Sequence, residues 1–223
     1  MRVGLEKEFF VLRDEKPIPL VRGGGLCGYS FGIPFGIPHD ECGWLAEARS
    51  QPFTSIIDAV FSLKAAVYRI ERQIADINKR PEFTAVSPLV LTDNPVMKMD
   101  RSVKLQAARY FPKGVIKYQN LYGHQCHKNS MREATAGVHV SFTDERSYRD
   151  KEGTERTYNI NFDWPQIFIK LDAAFAEEIK ASKRRPGFYE IKPDGRVEYR
   201  SLPANVDLDK LINVLSPMLG YTY

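Results

Sequence analysis

The alternation within residues 1–12 constrains the fold more than any other stretch. Leu5, Phe9 and Val11 sit at odd positions, while Glu6 and Glu8 sit at even ones. Side chains two apart share a face of a β-strand. The spacing therefore predicts a strand with one apolar face and one face carrying two carboxylates, their α-carbons roughly 6.6 Å apart. Close carboxylates repel and raise one another's pKa. A divalent cation relieves that repulsion, and oxygen ligands suit magnesium or manganese. For Glu6 and Glu8 alone, a half-exposed strand with solvated glutamates is the plainer reading, and the strands further along weigh against it.

At 223 residues the chain suits one large domain or two small ones and can bury a sizeable core. Its 43% hydrophobic and 27% charged residues are ordinary for a globular protein. A net charge of +4 and a pI near 8.9 are compatible with a phosphate-bearing ligand but do not by themselves indicate nucleic acid. Cys27, Cys42 and Cys126 are few and odd in number, which suggests free thiols in a reducing compartment. Residues 1–12 lack a signal-peptide pattern. No run reaches the 18 or so apolar residues of a membrane span. The expectation is a cytoplasmic protein.

Asp14 to Pro17 reads as a turn. Residues 22–38 hold Gly23, Gly24, Gly25 and Gly28, then a near-repeat over 31–34 and 35–38, and read as a loop or lid. They lack the Gly-Lys-Ser/Thr ending of a P-loop. Trp44 to Arg49 predicts a short strand with Leu45, Glu47 and Arg49 on one face, and Asp40 lies in the turn before it. Ile56, Val60, Leu63, Val67, Ile70, Ile74 and Ile77 recur at steps of four and three. They predict a helix over 54–78, capped by Thr54 and ended before Pro81. Residues 82–97 read as a connection with one strand near Leu89 to Leu91, and Met97 to Arg109 as a helix.

Within 110–135, His124, Cys126 and His127 are close together, but no second cluster completes a tetrahedral zinc site, and a polar loop is expected. Val138, Val140 and Phe142 alternate with His139 and Ser141. Residues 144–156 are dense in charge and read as a solvated turn. Asp163 caps a helix of about 20 residues from Trp164, with Phe168, Leu171, Phe175 and Ile179 as its stripe. Pro193 to Gly195 marks a turn between two strands. The second of these places Arg196, Glu198 and Arg200 on one face, and Asp207 caps a last helix.

Four strand-like segments thus carry polar groups at two-residue spacing: Glu6/Glu8, Glu47/Arg49, His139/Ser141 and Glu198/Arg200. Their other faces are apolar, and amphipathic helices are available to cover them. The expected fold class is α+β, with a curved antiparallel sheet packed by long amphipathic helices on one face and open on the other. The open face would present four glutamates, a histidine and several arginines. That set suits two or three magnesium ions and a nucleoside triphosphate, the arginines offsetting charge on the transferred phosphoryl group.

Glu6-Lys7-Glu8, Asp40 followed by Glu47-Ala48-Arg49, Arg132 before His139, and Glu198-Tyr199-Arg200 resemble the ordered motifs of the glutamate–cysteine ligase and glutamine synthetase superfamily. The likeness is strongest to its small phage-type carboxylate–amine ligases (amidoligases) and spans residues 4 to about 205. It implies a glutamine synthetase-like catalytic domain over 1–223, located in the host cytoplasm if phage-encoded. It also implies ATP- and magnesium- or manganese-dependent amide formation through an acyl phosphate. By resemblance, Glu6, His139 and Glu198 hold one metal, and Glu8 and Glu47, with Asp40 as a further candidate, hold another. Arg200 is the expected phosphate-binding arginine. Arg132 is a candidate at the reaction centre beside Glu198 and Arg200, and Arg184, Lys192 and Arg196 are candidates for nucleotide contacts. The partners would be a carboxylate and an amine, free or within peptides, with no membrane and no nucleic acid. The chain is much shorter than glutathione-forming ligases and lacks their extra elements.

Other readings compete. His139 could be a core histidine, Glu198 and Arg200 a surface pair, and Arg49 the ion-pair partner of a buried Glu47. A non-catalytic nucleic-acid-binding protein would use the basic charge and the 12% aromatic content for stacking, but the basic residues do not gather on one predicted face. A kinase on the same scaffold, as in the guanidino kinases, is the second rival. Phosphate release that depends on an amine acceptor separates ligase from kinase.

Overall fold

The computed structural model describes residues 1–18, 20, 45–84, 86–98, 119–123, 133–143, 145–149, 155–159, 162–192 and 195–219. Its elements are the strands β1 (Arg2–Arg13), β2 (Lys16–Pro17) and β3 (Leu45–Arg49), the helices α1 (Ile56–Asn78) and α2 (Pro81–Thr84), then β4 (Val90–Thr92), β5 (Val96–Lys98), β6 (Gln119–Asn120), β7 (Glu133–Thr135), β8 (Gly137–Thr143), β9 (Glu145–Arg149) and β10 (Glu155–Asn159). The helices α3 (Trp164–Ala174) and α4 (Ala176–Ala181), the strands β11 (Phe188–Ile191) and β12 (Val197–Pro203), and the helix α5 (Leu208–Leu215) follow.

The strand β1 is the hub of an eight-stranded antiparallel sheet. Along one edge, its residues Arg2 to Lys7 pair with β8 and Phe10 to Leu12 pair with β4. Along the other, Glu6 to Phe10 pair with β3, and Leu12 and Arg13 with β2. Beyond β8 the order continues β12, β11, β6. Two further antiparallel pairs, β5–β7 and β9–β10, stand outside this sheet.

One face of the sheet is covered. Val3, Leu5, Phe9 and Val11 of β1, Ala46 and Ala48 of β3, Val138, Val140 and Phe142 of β8, and Val197 and Tyr199 of β12 enter a single apolar core. From the helices, α1 supplies Ile56, Val60, Leu63, Ile70, Ile74 and Ile77, all at the predicted positions and all buried, with Val67 packed against them. Phe168 of α3 stacks obliquely on Phe142 and Tyr199, with ring centroids 6.0 and 5.0 Å apart, and so fixes that helix across β8 and β12. Among the described residues, the other face carries a small apolar patch, Phe10, Ala136 and Ala204 with Leu12, Leu45 and Met97 around them. No described helix is long and apolar enough to cross a membrane.

Several local expectations are corrected. The N-cap of α1 is Ser55, not Thr54: its hydroxyl accepts from the Asp58 N–H. Residues 144–156 are not simply a turn, because β9 and β10 pair with Glu145 opposite Asn159. Their Tyr and Thr residues favour a strand, but the dense charges at Glu145, Arg146, Arg149, Glu155 and Arg156 mask that signal in composition. Val96–Lys98 is strand rather than the start of a helix and pairs with β7; residues 99–109 lie outside the described residues. The connection over 82–97 therefore holds two short strands, not one. The helix from Trp164 breaks at Phe175 into α3 and α4. Asp163 and Asp207 cap their helices as expected.

Candidate metal centre

The antiparallel register carries polar side chains into rows on the open face. Glu6 lies opposite Arg49 on one side and His139 on the other. One row over, Ser141 lies between Gly4 and Glu198, and Glu198 lies opposite Glu190. Directly paired residues share a face, so Arg49, Glu6 and His139 form one row and Ser141, Glu198 and Glu190 the next. A register shift in β12 between Tyr199 and Leu202 lies just beyond Glu198.

One ligand atom each from Glu6, His139 and Glu198 lie within 4.8 Å of one another. His139 Nδ1 is 3.1 Å from Glu6 Oε1 and 3.7 Å from Glu198 Oε1. Two carboxylates and an imidazole within that reach offer the oxygen and nitrogen donors that could hold a divalent cation. His139 and Glu198 are buried, and Glu6 is half-buried. The three come from β1, β8 and β12, so only the assembled sheet creates the group.

Glu8 and Glu47 face each other across β1 and β3, and both adjoin the cluster: Glu8 Oε2 lies 3.5 Å from His139 Nε2 and Glu47 hydrogen-bonds Glu6. Glu8 Oε2 accepts from the Gly137 N–H at 2.8 Å and lies 3.7 Å from the Arg184 guanidinium. That guanidinium covers Gly137 so closely that a Cβ there would overlap it. Glu47 Oε1 accepts from Arg49 at 2.6 Å, so the ion-pair reading of Arg49 is the arrangement observed. Burial pushes the Glu47 pKa up, and its hydrogen bond with Glu6 and the Glu6 charge push the same way, against the hydrogen bond and charge of Arg49. Burial would raise Glu6 as well, but hydrogen bonds with His139 and Glu47 and the Arg49 charge outweigh it and hold Glu6 below the usual carboxylate range.

Beside Glu198 stands a basic pair. Arg200 bonds Glu198 Oε1 through its guanidinium, and Lys192 Nζ is 3.7 Å from Glu198 Oε2. Ser141 Oγ donates to Glu198 Oε2 at 3.2 Å. The Glu198–Arg200 pair is therefore largely buried rather than a surface contact. Arg184 donates to the Arg200 carbonyl at 2.5 Å, linking it to this corner. Arg196 lies just before β12, where its carbonyl accepts from the Lys192 N–H.

Asp40, Arg132, the three cysteines, His124 and His127 lie outside the described residues. Glu190 is the member of the face that sequence reasoning missed. Its place opposite Glu198 exists only in the cross-strand register. The signals were the strand–turn–strand pattern around Gly195, which sets that register, and Lys192 two residues further on, which pairs with Glu190.

Fold and site together define an α+β protein whose open antiparallel sheet gathers a carboxylate–imidazole cluster ringed by basic side chains. Compared with protein-family models and with curated proteins, the chain matches none.

Proposed function

We propose that the chain is an ATP- and magnesium-dependent carboxylate–amine ligase with a glutamine synthetase-like catalytic sheet, of the amidoligase kind that its four ordered motifs resemble. The observation that carries this reading is the convergence of Glu6, His139 and Glu198 within 4.8 Å, with Arg200 bonded to Glu198. Glu6, His139 and Glu198 would hold the divalent cation, which supplies charge neutralisation at the phosphates when bound. Arg200 and Lys192 would carry the transferring phosphoryl oxygens, as a planar guanidinium and a point ammonium respectively.

In the proposed reaction a substrate carboxylate oxygen attacks the γ-phosphorus of ATP, the β–γ P–O bond breaks, and ADP leaves. The amine nitrogen then attacks the acyl carbon, the acyl C–O bond breaks, phosphate departs, and the nitrogen loses a proton. The amide product therefore appears with one ADP and one phosphate.

A screen for ADP release across paired carboxylates and amines tests the assignment. The expected result is ADP and phosphate in equal amounts, both dependent on the amine, with oxygen-18 passing from carboxylate to phosphate. Release of AMP and pyrophosphate would overturn it, as would ADP formed with a phosphorylated acceptor and no free phosphate, which is the kinase outcome.

A further inference from the structure

We propose that Glu190 is a positioning residue that keeps Arg200 and Lys192 together at the site when Glu198 turns to a cation. The inference rests on the ligase reading above and adds a residue and a role to it. Glu190 is buried on β11, directly opposite Glu198 on β12. Its Oε2 accepts from Lys192 Nζ at 2.7 Å and lies 3.5 Å from the Arg200 guanidinium. Each of the two cations therefore touches both carboxylates: Lys192 reaches Glu190 and, at 3.7 Å, Glu198, while Arg200 bonds Glu198 and reaches Glu190.

The two carboxylates are not equivalent. Glu198 belongs to the three-residue group that can converge on a metal ion, and Glu190 does not. A cation on Glu198 competes directly with Arg200 and Lys192 for its oxygens. Two like charges side by side, having lost one anionic partner, would repel each other and move toward solvent. Glu190 remains as their shared anchor. It holds a guanidinium and an ammonium adjacent and largely buried. This is a prepared seat for two oxygens of a polyphosphate, where charge-assisted hydrogen bonds are strongest.

The test uses the whole chain and two probes: Mn2+ alone, followed by its paramagnetic signal, and Mn2+ with ATP, followed by a fluorescent ATP analogue. Glu190→Gln preserves shape and removes the charge. It should bind Mn2+ within about threefold of the parent and lose about tenfold or more in affinity for the nucleotide. A merely structural role would weaken both probes together, and that result overturns the proposal. Parent-like nucleotide affinity in Glu190→Gln overturns it as well, leaving the ligase reading standing. A parent chain that binds neither probe overturns both. Should Glu190→Gln fail to fold, Lys192→Met removes one of the two seated cations with Arg200 still on Glu190. It should show the same selective loss of nucleotide, and unchanged nucleotide affinity there would refute the seat.

Discussion

Both faces of the sheet bury acids, and they satisfy them differently. On the helix-covered side, Asp172 of α3 accepts from the Tyr199 hydroxyl at 2.5 Å, the Tyr122 hydroxyl at 2.8 Å and the Gly187 N–H at 3.0 Å. All three donors are neutral: Tyr199 is buried in the core, Gly187 donates from the backbone, and Tyr122 reaches in from an exposed position. On the open side, Glu198, Glu190 and Glu47 are met by Arg200, Lys192 and Arg49, cations on long side chains. A neutral donor built into the core cannot be exchanged without unfolding something. A cation on a flexible stem can give way to another cation. Asp172 therefore reads as architecture, and the open-face carboxylates as a site whose counter-charges are replaceable.

The largest effect that separates the two is on rate. Glu198→Gln should lower ATP-dependent amide formation about 100- to 1000-fold, measured with the substrate pair the ADP screen identifies. Its melting temperature should move by no more than about 4 °C, because Arg200 and Lys192 keep Glu190 as a partner. A near-normal rate would erase the functional side of the comparison. Asp172→Asn should show the reverse profile. It keeps the shape but takes charge and acceptor capacity from three donors, a loss of about 2–4 kcal/mol. For a chain of this size that is a fall of roughly 5–15 °C in thermal melting, with metal and nucleotide affinity unchanged. An Asp172→Asn protein that melts like the parent would mean that the neutral acid site carries no structural weight.

The smallest effect lies in alkali. Burial first, then the hydrogen bond to Asp172 and its charge, push the Tyr122 hydroxyl up to about 12 from an ordinary 10. The same causes push Tyr199 well above 10. An acid whose pKa is raised on folding contributes stability that is fully present below its unfolded pKa and lost as pH rises through the folded one. Stability should therefore drop between about pH 10 and 12, and the slope of denaturation midpoint against pH should be shallower in Tyr122→Phe. An identical slope in both proteins would detach Tyr122 from Asp172.

What could be read in the sequence follows physical range. Period-2 alternation placed Leu5, Phe9 and Val11 inside and Glu6 and Glu8 on the other face, and period-3.6 spacing found the α1 stripe, because both depend on near neighbours in the chain. The convergence of Glu6, His139 and Glu198 was reachable through strands that each carried a paired pattern. Glu190 and Asp172 were not. Glu190 acquires meaning from a residue across a strand pair, and Asp172 is a lone acid in an apolar helical stripe whose donors come from Tyr122, Gly187 and Tyr199. The pairing of β9 and β10 escaped because their charge density resembles that of a solvated turn. The engagement of Arg49 with Glu47 was foreseen only as an alternative, since two-residue spacing permits an ion pair and a shared ligand role equally.

The hub position of β1 also bears on the order in which the protein can be made. Glu6 must find His139, 133 residues later, and β1 must also pair with β3 and β4. At about 5–20 residues per second on the ribosome, the strand waits on the order of ten seconds for β8 to emerge. Pairing at such separation also folds slowly once synthesis is done. During that interval Val3, Leu5, Phe9, Phe10 and Val11 are exposed in a nascent chain, the kind of segment that joins a stranger's sheet edge. The charges at Arg2, Glu6, Lys7, Glu8 and Arg13 interrupt it and act as gatekeepers against aggregation. The glutamates proposed to bind a cation in the finished protein would thus already serve the chain on its way to being folded.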